Sequence, residues 1–183
     1  MQGLTDLLGG LTGTSGVLAI AAVMLFKEIG VPVPVPADLI MITAGVQAAT
    51  GSYSLVGLLV AVEVAVILGC SIKFLLVRSA GRGFVYRFGR FVGLTPARLD
   101  QATLRLHSRG PLAIFIGLNV PGARAGMIIA AGLAGFPLRA FAPAMVAGSS
   151  LYYGWHVALG FIVGPSAARL LAGANLPGAA REA

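Results

Sequence analysis

An apolar stretch interrupted by charges and prolines limits the folds open to this chain more than any other feature. Residues 26–45 read FKEIGVPVPVPADLIMITAG, and apolar segments flank the prolines on both sides. Pro32, Pro34 and Pro36 lack a backbone N–H and resist a helix interior, and each favours extended geometry at the residue before it. The segment is therefore predicted to break a helix and to run extended. Because such backbone is tolerated at membrane depth only within protein or beside water, the pattern favours a re-entrant loop that lines a polar cavity.

The composition places this broken stretch in a membrane protein. The 183 residues are 57% hydrophobic and 10% charged, with a mean hydropathy of +0.92, whereas soluble domains are about 25% charged. We expect one membrane domain that begins at Met1, since the opening residues lack the basic region and cleavage site of a signal peptide. Cys70 is the single cysteine, which excludes an internal disulfide, and His107 and His156 lack zinc-ligand spacing. Neither a metal nor another cofactor is expected.

The positive charge of the chain is concentrated in one segment. Residues 73–109 hold eight basic residues and one acidic residue, Asp100, while the rest of the chain is neutral overall. A basic segment flanked by apolar spans typically faces the anionic headgroups of the cytoplasmic leaflet. We therefore predict a multi-pass protein of the inner (plasma) membrane with this connector in the cytoplasm, and membrane lipids rather than nucleic acid as its partners.

Three apolar segments define the predicted crossings. Residues 16–30 suffice for a short or tilted crossing, whereas residues 53–77 and 138–164 are long enough for full spans. The last span also contains aromatic residues that suit interfacial anchors. These are Tyr152, Tyr153 and Trp155.

The connector at 80–109 combines arginines with large apolar residues, a pattern typical of a helix in the cytoplasmic interface. The apolar residues near helical spacing are Phe84, Phe88, Phe91 and Val92. Thr95 as N-cap and Pro96 at the first helical position then predict a second short helix that ends near Gly110.

Residues 111–135 resemble the opening stretch in kind, because N-V-P-G-A-R interrupts an apolar run that then resumes. An Ala-Gly pair followed by a turn and a full span occurs at both 42–55 and 129–141, which is a weak internal repeat. Paired interrupted segments indicate an inverted-repeat transporter with its site near the bilayer midplane.

The predicted fold class is an all-α integral membrane protein with two inverted-repeat halves, each a re-entrant broken hairpin plus a transmembrane helix, joined by cytoplasmic amphipathic helices. The expected boundaries are 16–78 for the first half with its hairpin at about 27–50, 79–110 for the connector, 111–164 for the second half with its hairpin at about 111–135, and 165–183 for a C-terminal tail whose side is left open.

Glu28, Asp38 and Arg124 lie in or beside the interrupted segments and are the leading functional candidates. A charge in a low-dielectric interior is costly unless it is paired or hydrated. Glu28 or Asp38 could carry a proton because desolvation favours the neutral carboxyl group, and Arg124 could bind phosphate through its planar guanidinium. The structural alternative is that Glu28 pairs with Lys27 at the interface while Asp38 only caps the helix 39–49.

Glu63 is a further candidate, because an acid in the middle of a long apolar span indicates a buried partner or a proton site. Lys73 lies nearly three helical turns away on another face. Arg124 or Arg139 is therefore the expected partner of Glu63.

Other polar residues have both a functional and a structural interpretation. Asn119, Pro121 and Gly122 either offer backbone amides and carbonyls to a headgroup or form a simple helix break. His156 is interpreted as a packing residue rather than a proton relay, and Cys70 as a residue that only packs.

The order and spacing of these motifs resemble the DedA family of membrane proteins, also called the VTT or SNARE-associated domain family, over residues 20–165. The motifs that carry the resemblance are F-K-E at 26–28, P-V-P-A-D at 34–38, A-G at 44–45 with Gly51, G-C-S-I-K-F-L-L-V-R-S-A-G-R at 69–82, R-G-P at 109–111, L-N-V-P-G-A-R at 118–124, A-G-L-A-G-F at 131–136, Trp155, and L-G-F-I-V-G at 159–164.

The resemblance implies two re-entrant hairpins of opposite orientation and a role in moving lipids between leaflets. The lipids it implies are undecaprenyl phosphate or phospholipids, with dependence on the proton gradient in some members. By matching position, Glu28 and Asp38 correspond to the family's membrane acids, and Arg124 to its second essential arginine.

The chain departs from the family pattern at positions that matter for phosphate binding. Leu118 stands where the first arginine of that segment is expected, and Cys70 stands where an aspartate is expected. Lys73 or Arg139 could replace the missing positive charge. The remaining departures are Phe74 in place of a tyrosine and Val77 in place of a glycine.

These observations together predict a lipid transporter, a flippase or scramblase, and not an enzyme. The predicted substrate-binding residues are Arg124, Asn119, Pro121, Gly122 and Lys73, and the predicted proton-coupling residues are Glu28, Asp38 and Glu63. The alternatives are a small ion or drug/proton antiporter and a non-transporting scaffold that assembles other membrane proteins. A homo-oligomer is compatible with each of them.

Overall fold

The computed structural model describes residues 13–88 and 95–174, and the described residues form seven helices joined by turns. The helices are α1 (Gly13–Ile29), α2 (Ala37–Ala49), α3 (Leu55–Phe88), α4 (Pro96–Arg109), α5 (Pro111–Asn119), α6 (Arg124–Leu133) and α7 (Leu138–Ala174). The all-α prediction is therefore confirmed for this part of the chain.

Two of the helices, α3 and α7, are long and apolar enough to cross a membrane. The qualifying segments are Leu55–Gly81 and Leu138–Gly164, each of 27 residues. The second matches the predicted span, and the first begins two residues later and ends four residues later than predicted. The outer face of α3 exposes an apolar stripe at four-residue intervals, which suits lipid rather than water. The stripe consists of Val56, Val60, Val64 and Leu68.

Helices α1 and α2 form an antiparallel hairpin with residues 30–36 at its tip. The backbone amide of Gly13 donates to the carbonyl of Ser52 across the open end, at 2.7 Å. At the tip the chain runs without helix from Val31 to Pro36, as the alternating prolines predict. The predicted short crossing at 16–30 is therefore the first arm of the hairpin, and residues 27–50 hold its tip and second arm.

Helices α5 and α6 form a second hairpin with a tight turn at residues 120–123. Gly122 has a φ of 76°, a conformation that a glycine adopts without steric cost. The amide of Ala123 donates to the carbonyl of Val120 at 3.0 Å and closes the turn. The predicted interruption of the 111–135 segment is therefore present.

The tips of the two hairpins meet at the same level of α3. Helix α1 runs parallel to α3, so that Glu28 reaches Cys70, fifteen residues or about 22 Å along the span from Leu55. Helix α6 starts beside Cys70 at Arg124 and runs along α3 until Gly132 packs on Phe74 and Val77. The open ends of the hairpins therefore lie toward opposite ends of α3.

Each hairpin divides its two helices between the two long helices. Helices α1 and α6 pack mainly on α3, whereas α2 and α5 pack mainly on α7. Glycines permit close approach at these contacts, since a Cβ atom at Gly69 would lie 2.5 Å from Glu28 and one at Gly148 would lie 3.2 Å from Leu118. The described helices thus form two packed groups, α1–α3–α6 and α2–α5–α7.

The connector ends in a capped helix that packs on the second hairpin. The hydroxyl of Thr95 accepts from the amide of Arg98 at 3.3 Å, Pro96 is at the first helical position, and Gly110 follows the last one. This confirms the predicted second short helix. Its buried face contains Leu99, Ala102 and Leu106. The predicted apolar face formed by Phe84, Phe88, Phe91 and Val92 lies outside the described side chains, and the tail beyond residue 174 lies outside the described residues.

The contact between α2 and α7 requires two glycines. A Cβ atom at Gly45 would lie 2.2 Å from the carbonyl oxygen of Val157, and one at Gly160 would lie 2.0 Å from that of Ile42. Gly160→Ala should therefore lower the thermal unfolding midpoint of the detergent-solubilised protein, since overpacking costs about 1–3 kcal/mol. Gly154→Ala in the same helix is the control, because its Cβ would meet nothing within 4 Å. Equal midpoints for the two variants would contradict this packing.

Candidate functional site

Glu28 is a buried acid in the last turn of α1, directly before the extended tip. It is 4% exposed. Its backbone is held against α3 at Gly69, where any side chain would collide with it. A carboxylate at such a position is tolerated only with several charged or hydrogen-bonding partners.

Four side chains from three helices surround the Glu28 carboxylate. Arg124 Nε donates to Oε1 at 3.0 Å, and the Tyr153 hydroxyl donates to the same oxygen. The Cys70 thiol donates to Oε2 at 3.2 Å, and Lys73 Nζ lies 3.8 Å from that oxygen. Both carboxylate oxygens are therefore satisfied within the protein.

Arg124 is the first residue of α6 and connects the second hairpin to both long helices. Its Nη2 donates to the Ser149 hydroxyl at 2.9 Å, and its Nη1 lies 3.5 Å from the carbonyl oxygen of Leu118. The guanidinium also lies over the ring of Tyr153, 4.6 Å from the centroid. We define the central cluster as Glu28, Arg124, Lys73, Cys70, Ser149 and Tyr153. With its three ionisable charges in their usual states, this cluster has a net charge of +1.

The central cluster lies near the middle of both long apolar segments. Cys70 follows Leu55 by fifteen residues and precedes Gly81 by eleven, while Ser149 follows Leu138 by eleven and precedes Gly164 by fifteen. Because the residue counts for α3 and α7 are the same in reverse order, the cluster lies equally far from the middle of each segment. A net positive charge at this depth favours a site for an anion.

A second polar group borders the central cluster on its α2 side. The Tyr152 hydroxyl donates to Asp38 Oδ1 at 2.6 Å, and His156 Nε2 lies 3.8 Å from the same oxygen. These residues line a cavity of about 330 Å³ together with Asn119, Pro121, Leu151 and Trp155. The Asp38 side chain is 43% exposed, so this acid is accessible whereas Glu28 is not.

The remaining predicted site residues lie around the second hairpin and on α3. The Asn119 amide donates to the carbonyls of Phe115 and Gly148, at 2.8 and 3.2 Å, and so ties the turn to α7. Gly122 provides the positive φ of the turn. Glu63 accepts from the Ser150 hydroxyl at 2.9 Å, which differs from the expected pairing with Arg124 or Arg139.

Several structural alternatives are wrong. Lys27 donates to the carbonyl of Val35 at 3.0 Å and spans the tip, whereas Glu28 pairs with Arg124. Asp38 does not cap α2, because Pro36 occupies the N-cap position and Asp38 lies in the first helical turn. Cys70 does more than pack, since its thiol contacts Glu28.

The two tyrosines have roles that the sequence prediction missed. Tyr153 is 3% exposed in the middle of the last span, so its assignment as an interfacial anchor is wrong. Ser149 is a further residue of the cluster that the sequence motifs do not indicate. The spacing carried a usable signal, because Ser149 and Tyr153 lie four residues apart on one face of α7 and Tyr152 and His156 form a second such pair. The first pair faces the central cluster and the second faces Asp38.

Comparison with known sequences identifies relatives among bacterial membrane proteins. The chain is 24% identical over 149 residues to the uncharacterized membrane protein YbfM of Bacillus subtilis, which covers 81% of this chain and 91% of YbfM. It is 28% identical over 100 residues to the uncharacterized membrane protein YkoX of the same organism, covering 55% of this chain and 45% of YkoX. It is 26% identical over 132 residues to the uncharacterized membrane protein slr0232 of Synechocystis sp., covering 72% of this chain and 61% of slr0232. No family model matches the chain, and no solved structure matches it. The chain is thus related to membrane proteins, and the DedA resemblance stays a prediction.

Removing the Glu28 charge should destabilise the fold strongly. Glu28→Gln leaves Arg124 and Lys73 buried without a carboxylate, and breaking a buried pair in this way costs about 3–5 kcal/mol. The double variant Glu28→Gln/Arg124→Gln should lose less stability than the sum of the two single variants, because it removes both members of the pair. Thermal unfolding in detergent measures all three.

Glu63→Gln is the matched control for these single and double variants. It neutralises another acid between the long helices, and the amide oxygen can still accept from Ser150. Its unfolding midpoint should stay close to that of the unaltered protein. If the losses of the Glu28 and Arg124 variants simply add, the two residues do not stabilise each other.

Proposed function

We propose that this protein is a membrane lipid transporter, a flippase or scramblase, that moves a phosphate-bearing lipid between leaflets. The observation that carries the proposal is the central cluster, in which the two broken hairpins bring Glu28 and Arg124 together at mid-span and α3 adds Lys73 beside the buried carboxylate. Because buried charges are costly in a membrane, such a cluster is expected where a charged substrate or ion crosses. The DedA resemblance points to the same activity.

The proposed architecture is an inverted repeat in the plasma membrane. Each half consists of a hairpin followed by a long helix. The first arm of each hairpin packs on the long helix of its own half, whereas the second arm packs on that of the other half. This exchange, together with the opposite directions of the open ends, supports hairpins that re-enter from opposite faces. The positive-inside rule then places the basic connector in the cytoplasm.

The chemistry of the central cluster suits a phosphate headgroup. Arg124 offers planar N–H donors, of which Nη2 is occupied by the neutral Ser149 hydroxyl. A phosphate oxygen is a stronger acceptor than a hydroxyl and would displace it. The net charge of +1 balances the single charge of a phosphodiester. Protonation of Glu28 would raise the charge of the cluster by one and favour a phosphomonoester such as undecaprenyl phosphate.

Proton coupling is assigned to Glu28 or Asp38. Protonation of Glu28 would weaken its ion pairs with Arg124 and Lys73 and release both for the headgroup. Asp38 is accessible from its cavity and lies beside Tyr152, whose neighbour Tyr153 bonds to Glu28. These contacts provide a short polar route for a proton. The role is translocation rather than catalysis, and the lipid is the substrate and partner.

Translocation of a fluorescent phosphatidylglycerol in reconstituted vesicles tests the proposal. Arg124→Ala and Glu28→Gln should each lower the rate to that of vesicles without protein, because each removes one member of the central ion pair. Arg139→Ala is the control, since Arg139 is exposed in the first turn of α7 and its loss also removes one positive charge. Undiminished translocation by both cluster variants would refute the assignment.

A cation/proton antiporter is the second candidate, and the cavity beside Asp38 favours it. An accessible acid flanked by Tyr152 and Trp155 combines charge with aromatic faces, which is the chemistry that binds organic cations. Asp38→Asn should then abolish proton-linked uptake of a lipophilic cation while lipid translocation persists. Loss of lipid translocation alone in this variant would favour the first proposal.

A further inference from the structure

Two cavities lie between α4 and the second hairpin, and Asp38 lines neither of them. One of about 430 Å³ is lined by Arg105, Ser108 and Arg109 of α4, and the other, of about 290 Å³, by Arg98, Gln101 and Arg105. Both also contact Ala123 in the turn. We define this pair of cavities as the connector groove. Three arginines face it along one helix, so it carries a high density of positive charge.

The outer rim of the connector groove is apolar and exposed. Leu112, Ile116 and Val120 recur at four-residue intervals, and their exposed fractions are 55%, 39% and 44%. Ile116 and Val120 also line the larger cavity. A row of exposed apolar side chains directly beside arginines matches a ligand that has a negative head and a hydrocarbon tail.

We propose that the connector groove is a second binding site, which takes the phosphate-bearing headgroup of a membrane lipid while the acyl chain lies along Leu112, Ile116 and Val120. The arginines act as donors to the phosphate oxygens. Ala123 lines the groove, and the next residue is Arg124. The groove and the central cluster are therefore lined by adjacent residues of the chain.

This second site adds a loading step to the proposed transport. It rests on that proposal in one respect, namely that the headgroup bound in the groove passes on to Arg124. The binding itself requires no transport. The position suits loading from the leaflet on the connector side, since α4 packs on both helices of the second hairpin and leads directly into α5. Pro121 lines both the smaller cavity of the groove and the cavity beside Asp38, so both cavities reach the turn. A movement of this short turn would connect them.

Equilibrium binding of dioctanoyl phosphatidic acid to the purified full chain in detergent tests the site. Arg105→Gln should weaken binding about tenfold, because Arg105 contributes to both cavities and a charge-assisted hydrogen bond is lost. Arg139→Gln removes one charge from an exposed position outside the groove and should change the affinity less than about twofold. Ser108→Glu places a negative charge in the groove without removing an arginine and should weaken binding to a similar degree as Arg105→Gln.

The outcomes separate the groove from the transport proposal. Equal affinities for Arg105→Gln, Ser108→Glu and Arg139→Gln would overturn the groove. Inorganic phosphate that competes as well as the lipid at equal concentration would overturn the lipid assignment in favour of a soluble anion. Arg124→Gln should keep groove binding while it loses translocation. If Arg124→Gln transports normally and Arg105→Gln loses binding, the groove stands and the transport role of the central cluster fails.

Discussion

The ion pair between Glu28 and Arg124 is the interaction on which the rest of the structure depends. The two residues are 96 positions apart in sequence, and each lies where a helix stops or starts at a hairpin tip. An extended segment and a tight turn interrupt the helices at mid-span, and the neighbouring side chains must satisfy the charges placed there. The pair does so by linking the end of α1 to the start of α6. Without it, the two tips would leave one unpaired negative charge and one unpaired positive charge in an apolar environment.

The surroundings of this pair explain why small residues occur at the helix contacts. Gly69 admits Glu28 to the face of α3, and Gly148 admits the side chain of Leu118, whose carbonyl lies near Arg124. In a membrane the hydrophobic effect does not drive helices together, so close backbone approach and hydrogen bonds have to stabilise the packing. The same contacts that hold the helices also position the carboxylate and the guanidinium. Packing and site geometry are therefore set by the same residues.

The elements that could be predicted from sequence are those with a local cause. The prolines at 32, 34 and 36 break the helix, Thr95 and Pro96 start α4, and Gly110 ends it, each through the backbone of its own neighbourhood. That Glu28 and Arg124 need charged or polar partners also follows from the cost of burying a charge. What could not be predicted is which distant side chains meet. Tyr153 looked like an interfacial anchor because a tyrosine in an apolar span is compatible with either environment, and the depth of residue 153 depends on the register of α7 against α1.

The partners of Cys70 and Lys73 could not be predicted for the same reason. A thiol is a weak donor with no sequence signature, and its contact with Glu28 arises only when α1 lies parallel to α3 in one register. Leu118 illustrates the opposite case. The expected arginine is absent there, yet the backbone carbonyl of this residue still lies within reach of Arg124. The side chain departs from the DedA pattern that the sequence resembles, while the main chain stays close to the cluster.

The division of the helices into two packed groups determines where the molecule can open. Glu28, Lys73, Cys70 and Arg124 all belong to α1, α3 and α6, whereas Ser149 and Tyr153 belong to α7 in the other group. A rigid rotation of one group against the other would leave the ion pairs intact and withdraw the two hydroxyl groups together with the Leu118 carbonyl of α5. The seam that opens would be lined by cations on one wall and by freed hydroxyls on the opposite wall. The extended residues 31–36 and the turn at 120–123 cross this seam at the hairpin tips, and residues 50–54 and 134–137 cross it at the open ends, so these short links would act as the hinges of the rotation.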